Sequence, residues 1–504
     1  MDGNATQRMD SVSAEARKTG FTLLIISISL ATFMSALDGT IVNIALPTIS
    51  SSFDIPTSTV SWVSTIYLLV MAGCVLIFGK ISDVIGFKKV FLSGFLIFTI
   101  GSFSCGFIPD FLHSFTTLVG SRAFQAVGGA MITAIGPAMV TAFIPMEQKG
   151  KAMGVVLTFA ALGTAIGPTI GGLLTQFLSW HWIFFINVPV GIIAIILGAR
   201  VIPEMEHKER TGGFDRAGAV LIFTGLASLL FALSEGQTLG WADPVIIGTL
   251  ALAVVTLVGF VWCELRVSDP LLELRLFGHR NFLLTNLEMC LLFFSFAGIS
   301  YLLPFYLEYV HGYTPAVSGL ILTSLSLAMM VGGILAGLLY NRTGGRALSI
   351  AAGISVVAGY FLLTRIRVNT STGFVIVCLL LIGFGLGLML TPAANMIMNS
   401  VSKKYQGMVS SLTSLERFAP MTIGIAIANL VFIYGVDAIA AHNRITTTPP
   451  AKIMVEILTG GFDLAFLFAF IIGIGILVLA IIARQEVHPD YMTGAEEGPS
   501  APVM

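Results

Sequence analysis

Apolar residues along this chain neither alternate nor keep to one helical stripe. They run on for twenty positions or more and are broken by short polar turns. The hydrocarbon core of a bilayer, about 30 Å thick, is crossed by a helix of about 20 mostly apolar residues. By that ruler fourteen spans are predicted, near 21–46, 58–79, 89–108, 114–143, 152–176, 181–201, 215–233, 243–263, 282–308, 316–340, 347–364, 372–400, 408–435 and 463–484. The fold class is an all-α polytopic membrane protein. The polar stretch 436–462 is the longest predicted outer loop, ordered in part at most.

Composition narrows the class further. With 56% hydrophobic and 11% charged residues over 504 positions, and a mean hydropathy of +0.93, the chain does not have the makeup of a water-soluble globule. A net charge of −1 leaves no footprint for nucleic acid. The five cysteines lie in apolar runs without a C-x-x-C pair and read as small apolar fillers. The polar segment 1–20 ends in Arg17-Lys18, and the run after it is too long for a signal peptide core, so it reads as a retained first span. The tail 485–504 is short, acidic and rich in Pro, Gly and Ser, which predicts disorder.

Cations set the expected orientation. With the N-terminus in the cytoplasm, 20 of the 26 Lys and Arg fall in cytoplasmic segments, four (Arg365, Arg367, Arg444, Lys452) in outer loops, and Arg122 and Arg417 inside spans. Both termini are therefore expected in the cytoplasm, in a plasma (inner) membrane. The Arg365/Arg367 pair is the one local exception.

The chain also repeats itself. Gly79-Lys-Ile-Ser-Asp83-Val-Ile-Gly86-Phe-Lys88 returns as Gly337-Leu-Leu-Tyr-Asn341-Arg-Thr-Gly344-Gly-Arg346, 258 positions later, each copy after the second span of a set of six. This predicts two six-span bundles related as parallel repeats, 21–201 and 282–484, with two linker spans in 215–263 inserted between them and tails at 1–20 and 485–504. Parallel halves with a substrate site between them at mid-membrane are a transporter architecture.

Few residues carry chemistry. Asp38 stands in the outer half of the first span, where an unpaired charge costs about 2.5–3.5 kcal/mol. A carboxylate there needs a cation or a proton as partner, and a group that exchanges protons at that depth can couple proton flow to transport. Arg122 lies at similar depth in the fourth span, on a face it shares with Gln125, Gly129, Thr133 and Gly136. Asp38 is its expected partner. Gly79, Asp83, Gly86 and Lys88 form the loop after the second span, where the glycines permit a tight turn and Asp83 can complement a helix dipole as part of a conformational latch. Gly163, Gly167, Gly171 and Gly172, with Pro168 between them, make a close, bendable helix face suited to a seam between moving halves. In the second half Glu288 lies two turns into the ninth span, with Ser295 and Tyr306 at near whole-turn spacing, and Glu416 lies two turns into the thirteenth. These acids, with the aromatics of the ninth span, suggest a place for a lipophilic cation. Arg417 is expected to pair with Glu416 or a neighbour. Glu308 and Asp463 sit at outer span ends and are expected to meet water. No phosphate-binding loop, metal-spaced His/Cys set or catalytic triad pattern occurs.

Five stretches together resemble one family. They are Leu37-Asp38-Gly-Thr-Ile-Val-Asn43-Ile-Ala45-Leu-Pro47, the Gly79 to Lys89 loop, Arg122-Ala-Phe-Gln125-Ala-Val-Gly128-Gly129, Gly163-Thr-Ala-Ile-Gly167-Pro168-Thr-Ile-Gly171-Gly172, and Trp180-His-Trp182-Ile-Phe-Phe-Ile-Asn187-Val-Pro189. In this order they are similar to the motifs of the major facilitator superfamily, and within it of the fourteen-span drug:proton antiporters of the EmrB/QacA type. Val84 and Phe87 depart from the loop motif, which usually carries Arg at those places. The resemblance implies a proton-driven exporter of hydrophobic or cationic small molecules working by alternating access, not an enzyme; the alternatives are an exporter of a specific lipid, peptide, antibiotic or siderophore, or a non-transporting membrane sensor with a transporter fold. It also implies protons, substrate and lipids as the partners, no cofactor beyond the proton gradient, and a monomer.

Overall fold

A computed structural model describes residues 3–144, 146–204, 215–267, 270–402, 406–442 and 450–486, with the backbone alone for residues 3–20. Among the described residues fourteen helices are long and apolar enough to cross a membrane. In chain order, spans one to six are Phe21–Phe53, Thr57–Ser82, Phe87–Leu112, Phe115–Val140, Ala152–Phe177 and Trp182–Val201. Spans seven and eight are Arg216–Gly236 and Pro244–Glu264. Spans nine to fourteen are Arg280–Val310, Pro315–Tyr340, Gly345–Leu363, Thr372–Asn399, Leu412–Ala441 and Ile453–Ile482.

The ends of the chain and one outer loop bear on the expected segments. The N-terminal segment is helical, since one helix runs from Gly3 to Ile41. The outer loop 436–462 shrinks from both sides: the helix of span thirteen continues to His442 and that of span fourteen begins at Ala451. Pro450 at the N-cap gives span fourteen its start, since proline's missing N–H costs nothing there. Of the expected disordered tail, residues 487–504 lie outside the described residues.

The repeat seen in the sequence has a backbone counterpart. Gly86 has φ 90° and Gly344 φ 77°, and each ends one helix and begins the next. Their N–H groups donate to Ser82 O and Tyr340 O, four residues back in each case. A side chain is strained at such a φ, so glycine is required at these two corners.

Packing repeats with the same offset. Span one packs on five and six, three on four and six, and two on four; eight spans later, nine packs on thirteen and fourteen, eleven on twelve and fourteen, and ten on twelve. Two further contacts join the sets in a reciprocal way, five against ten and thirteen against two. Spans seven and eight pack on each other, and seven lies against both two and thirteen, along one side of this seam. Trp62 Nε1 of span two donates to Glu235 Oε1 of span seven at 2.8 Å, which ties the inserted pair to the first set.

Polar contacts across the seam gather at the end away from the N-terminus. Asn43 Nδ2 donates to Ser300 Oγ at 3.2 Å, and Thr169 and Thr323 hydroxyls meet at 2.6 Å. Ala316 N donates to Gln176 Oε1 at 3.1 Å, and Tyr301 OH donates to the Thr57 carbonyl. Tyr301 and Phe305 are fully buried by this closure. Tyr301 and Phe305 of span nine therefore seal the seam at this end.

Candidate functional site

Asp38 sits in the last helical turns before span one tightens into a 3-10 turn at Asn43–Ala45. The site around it draws on five spans. Arg122 Nη1 of span four donates to Asp38 Oδ2 at 2.9 Å, and both side chains are excluded from solvent. Gln125, one helical turn after Arg122, donates through Nε2 to Asp38 Oδ1 at 3.1 Å and to Ser102 Oγ of span three at 2.7 Å. Its Oε1 accepts from Arg122 Nη1 at 2.5 Å. Asn187 Nδ2, at the start of the long helix of span six, donates to Asp38 Oδ1 at 2.9 Å. Arg122 Nε donates to the Val63 carbonyl of span two at 3.2 Å, and its guanidinium lies 4.1 Å from the Tyr67 ring centre.

The cluster is neutral as a unit, and its charged atoms are met by hydrogen bonds. This is the condition under which an ion pair is tolerated in a medium of low dielectric. The rest of the predicted Arg122 face packs toward spans one and two. Thr133 Oγ1 is 3.1 Å from Ser35 Oγ, and a Cβ at Gly129 would meet the Tyr67 hydroxyl. The match of Asp38 with Arg122, expected from depth, is observed. Ser102, Tyr67 and the role of Asn187 were not foreseen. A Ser or Tyr inside an apolar run gives no sign of its partner until the helices are packed.

The glycine face of span five is corrected in part. A Cβ at Gly163, Gly167 or Gly171 would collide with Phe33, Thr40 or Ile41 and Ile44, all in span one of the same half. Spacing of four puts these three on one face. Gly172 and Pro168 lie on the next face round the helix. Gly172 abuts Pro315 of span ten, and the Pro168 carbonyl abuts Gly319. The three-glycine ridge thus holds span five to span one, and only its neighbours serve the seam.

In the second half the predicted residues do not converge. Glu288 and Glu416 are buried, and among the described residues neither carboxylate has a hydrogen-bond partner. Ser295 instead accepts a hydrogen bond from Tyr360 of span eleven at 3.0 Å. The Tyr306 hydroxyl is 2.9 Å from His311 Nε2, and its ring packs on Phe462 and Phe466 of span fourteen. Ser295 and Tyr306 are thus held within the second set of spans. Among the described residues Arg417 has no ion pair with Glu416. It lies instead against the rings of Phe418 and Phe293. Asp463 does not simply meet water, because it accepts from Arg367 at 2.7 Å. That pair gives a reason for a cation at a position where the charge rule disfavours one. One oxygen of Glu308 is buried and, among the described residues, without a partner.

Of the loop residues, Gly86 makes the corner described above, and a Cβ at Gly79 would meet open space. Lys88 pairs with Glu204 beyond span six at 3.4 Å, an exposed contact inside the first half. The Asp83 side chain lies outside the described residues.

A bundle of fourteen apolar helices with a buried ion pair at membrane depth, and halves packed by the same rule, defines a multi-pass transporter. The chain belongs to the Major Facilitator Superfamily, which it matches over residues 28–425. It is 33% identical over 411 residues to the riboflavin transporter RibZ of Clostridioides difficile, a match that covers 81% of this chain and 88% of that protein. It is 34% identical over 410 residues to the multidrug resistance protein Stp of Mycobacterium tuberculosis, covering 81% and 75%. The puromycin resistance protein of Streptomyces alboniger is 32% identical over 488 residues, covering 95% and 93%. Among solved structures, a bacterial homologue of the lysosomal transporter Spinster, titled as inward-facing and occupied, superposes with a TM-score of 0.61 at 14% identity, covering 92% of this chain and 96% of that one. The POT family transporter PepTSo gives 0.61 at 16%, covering 90% and 98%. These two likenesses show the fold.

Proposed function

We propose that the protein is a secondary active exporter that moves small hydrophobic compounds out of the cell in exchange for protons. The observation that carries the reading is the Asp38–Arg122 pair, buried in the membrane and shared among five spans. A proton arriving on Asp38 would take the place of Arg122 as its partner, and the freed guanidinium would then have to find another. Such an exchange ties proton occupancy to helix packing in the first half. Driving one charge through the membrane potential supplies about 2.3 kcal/mol per 100 mV.

In this reading residues 21–201 and 282–484 rock against each other about the seams of five with ten and two with thirteen, with 215–263 riding alongside. Both termini lie in the cytoplasm, so the closed end of the seam faces outward and the structure is the inward-open state. Gly79, Asp83, Gly86 and Lys88 act as a latch at the cytoplasmic end. Glu288 and Glu416, without hydrogen-bond partners among the described residues, are acids that a proton or a cationic substrate can claim once the second half rearranges. The protein works as a monomer in the plasma membrane.

The relatives support export of foreign compounds, since two of those named are resistance proteins. The riboflavin transporter among them favours a second reading, a carrier dedicated to one solute. Purified protein in liposomes with an imposed pH gradient separates these readings. Gradient-driven movement of several unrelated dyes supports the first. Movement of a single compound class supports the second, and no proton-linked movement of any solute overturns both.

A further inference from the structure

Arg417 combines three properties that the charge-neutral cluster around Asp38 lacks. It lies within span thirteen yet is exposed, while Glu416 and Phe418 on either side are buried. Two rings flank it: its guanidinium carbon is 5.6 Å from the Phe418 ring centre and 6.0 Å from the Phe293 ring centre of span nine. It is also close enough to Tyr67 of span two for the two groups to interact electrostatically. Span two belongs to the first half and spans nine and thirteen to the second. The exposed side chain therefore opens into the space between the halves and not onto the lipid face. Among the described residues it has no ion pair. The nearest acid along the chain, Glu416, is buried and close enough to Cys290 of span nine to interact with it.

A guanidinium in a spanning helix without a carboxylate partner is costly unless water or an anion meets it. Two ring faces at about 6 Å supply part of that compensation and also form a flat apolar wall. We propose that Arg417, with Phe293 and Phe418, is a substrate subsite between the halves that takes an anionic or strongly hydrogen-bond-accepting group on a flat aromatic compound. The guanidinium fork meets the acceptor oxygens, and the rings stack on the aromatic body. This deepens the export reading and rests on it for its biological sense. It assigns the exposed charge of the second half to recognition of anions, where the acids of that half had suggested cations.

The test is equilibrium binding to purified protein in detergent, with two xanthene dyes that share a ring system and differ in charge. Fluorescein is the anion and rhodamine 6G the cation. Arg417→Met should weaken fluorescein binding by about tenfold or more, the scale of losing a charged contact. It should leave rhodamine 6G within about twofold or bind it more tightly, since a like charge has been removed. Arg417→Lys should keep most of the fluorescein affinity, and retained rhodamine binding reports that the variants are folded. Unchanged fluorescein affinity in the Met variant, equal loss of both dyes, or failure of the unsubstituted protein to bind fluorescein would each overturn the subsite. The assay uses no proton gradient, so a failure of proton-driven export would show elsewhere and leave this result standing on its own.

Discussion

Asn187 Nδ2 lies 2.9 Å from Asp38 Oδ1, across 149 positions of sequence, and brings span six into the ion-pair cluster. Arg122 and Gln125, both on span four, are the other two donors to that carboxylate. Among the described residues Asn187 is the one donor to that carboxylate from span six. A hydrogen bond to a charged group contributes about 1.5–3 kcal/mol. Asn187→Ala should therefore lower thermal stability in detergent and slow pH-driven transport severalfold, with a smaller effect on substrate affinity. A loss of substrate affinity at an unchanged maximal rate would instead place Asn187 in the substrate site.

The seam can be separated from the interior of the first half by two alanine substitutions. At Gly167 an added methyl would strike the Thr40 side chain inside the first half. At Gly319 it would strike the Pro168 carbonyl of span five across the seam. Gly167→Ala should depress the yield and thermal stability of folded protein, because overpacking in a well-packed contact costs about 1–3 kcal/mol. Gly319→Ala should leave stability nearer to the unsubstituted protein and hold the seam apart at its closed end. A cysteine pair at Asn43 and Ser300, joined across the seam by a hydrogen bond of 3.2 Å, reports this. Cross-linking should fall in a Gly319→Ala background. Undiminished cross-linking would mean that the methyl is absorbed without opening the seam.

The contrast between these glycines shows what the sequence can and cannot tell. Spacing of four marks Gly163, Gly167 and Gly171 as one close-packing face, and that is correct. Which neighbour the face meets depends on the order of helices around the bundle, which periodicity does not encode. Asp38 and Arg122 could be matched because each is the rare charge in its span and their depths agree. Glu288, Ser295 and Tyr306 share a helix face too, but regular spacing along one helix says nothing of the partners that claim each side chain. Tyr360 and His311 claim Ser295 and Tyr306 here. The loop 436–462 was drawn too long for a related reason: the helices of spans thirteen and fourteen run on through 436–442 and 451–462. The fourteen spans were legible because hydropathy over about 20 residues is the strongest constraint a membrane sets.

Thiol labelling tests the orientation. In a background without the five native cysteines, single cysteines at Arg275 and at Asn369 mark the segments before span nine and before span twelve. Both positions are exposed. An impermeant thiol reagent added to intact cells should label Asn369→Cys and should reach Arg275→Cys only after the cells are opened. Labelling of both from the same side would break the fourteen-span topology. The reverse pattern would put the termini outside and make the structure open outward.

The sharpest prediction concerns the pair itself. Asp38→Asn keeps the shape and much of the hydrogen bonding of the carboxylate but removes its charge and its capacity to carry a proton. Coupled pumping against a pH gradient should disappear, while downhill movement of an uncharged substrate should survive in part. Stability should fall as well, because Arg122 is left buried without its counter-charge, and breaking one side of a buried pair costs about 3–5 kcal/mol. Removing the second charge should return much of that stability. The double variant Asp38→Asn/Arg122→Gln is expected to unfold at a higher temperature than Asp38→Asn alone, yet to remain as uncoupled. That combination separates the two roles of the cluster: stability follows charge balance and recovers, while coupling follows the titratable group and does not. If the single Asp38→Asn variant pumps against the gradient at the unsubstituted rate, the proton does not travel through Asp38. Glu288 and Glu416, buried and without a hydrogen-bond partner among the described residues, would then be the residues to substitute next.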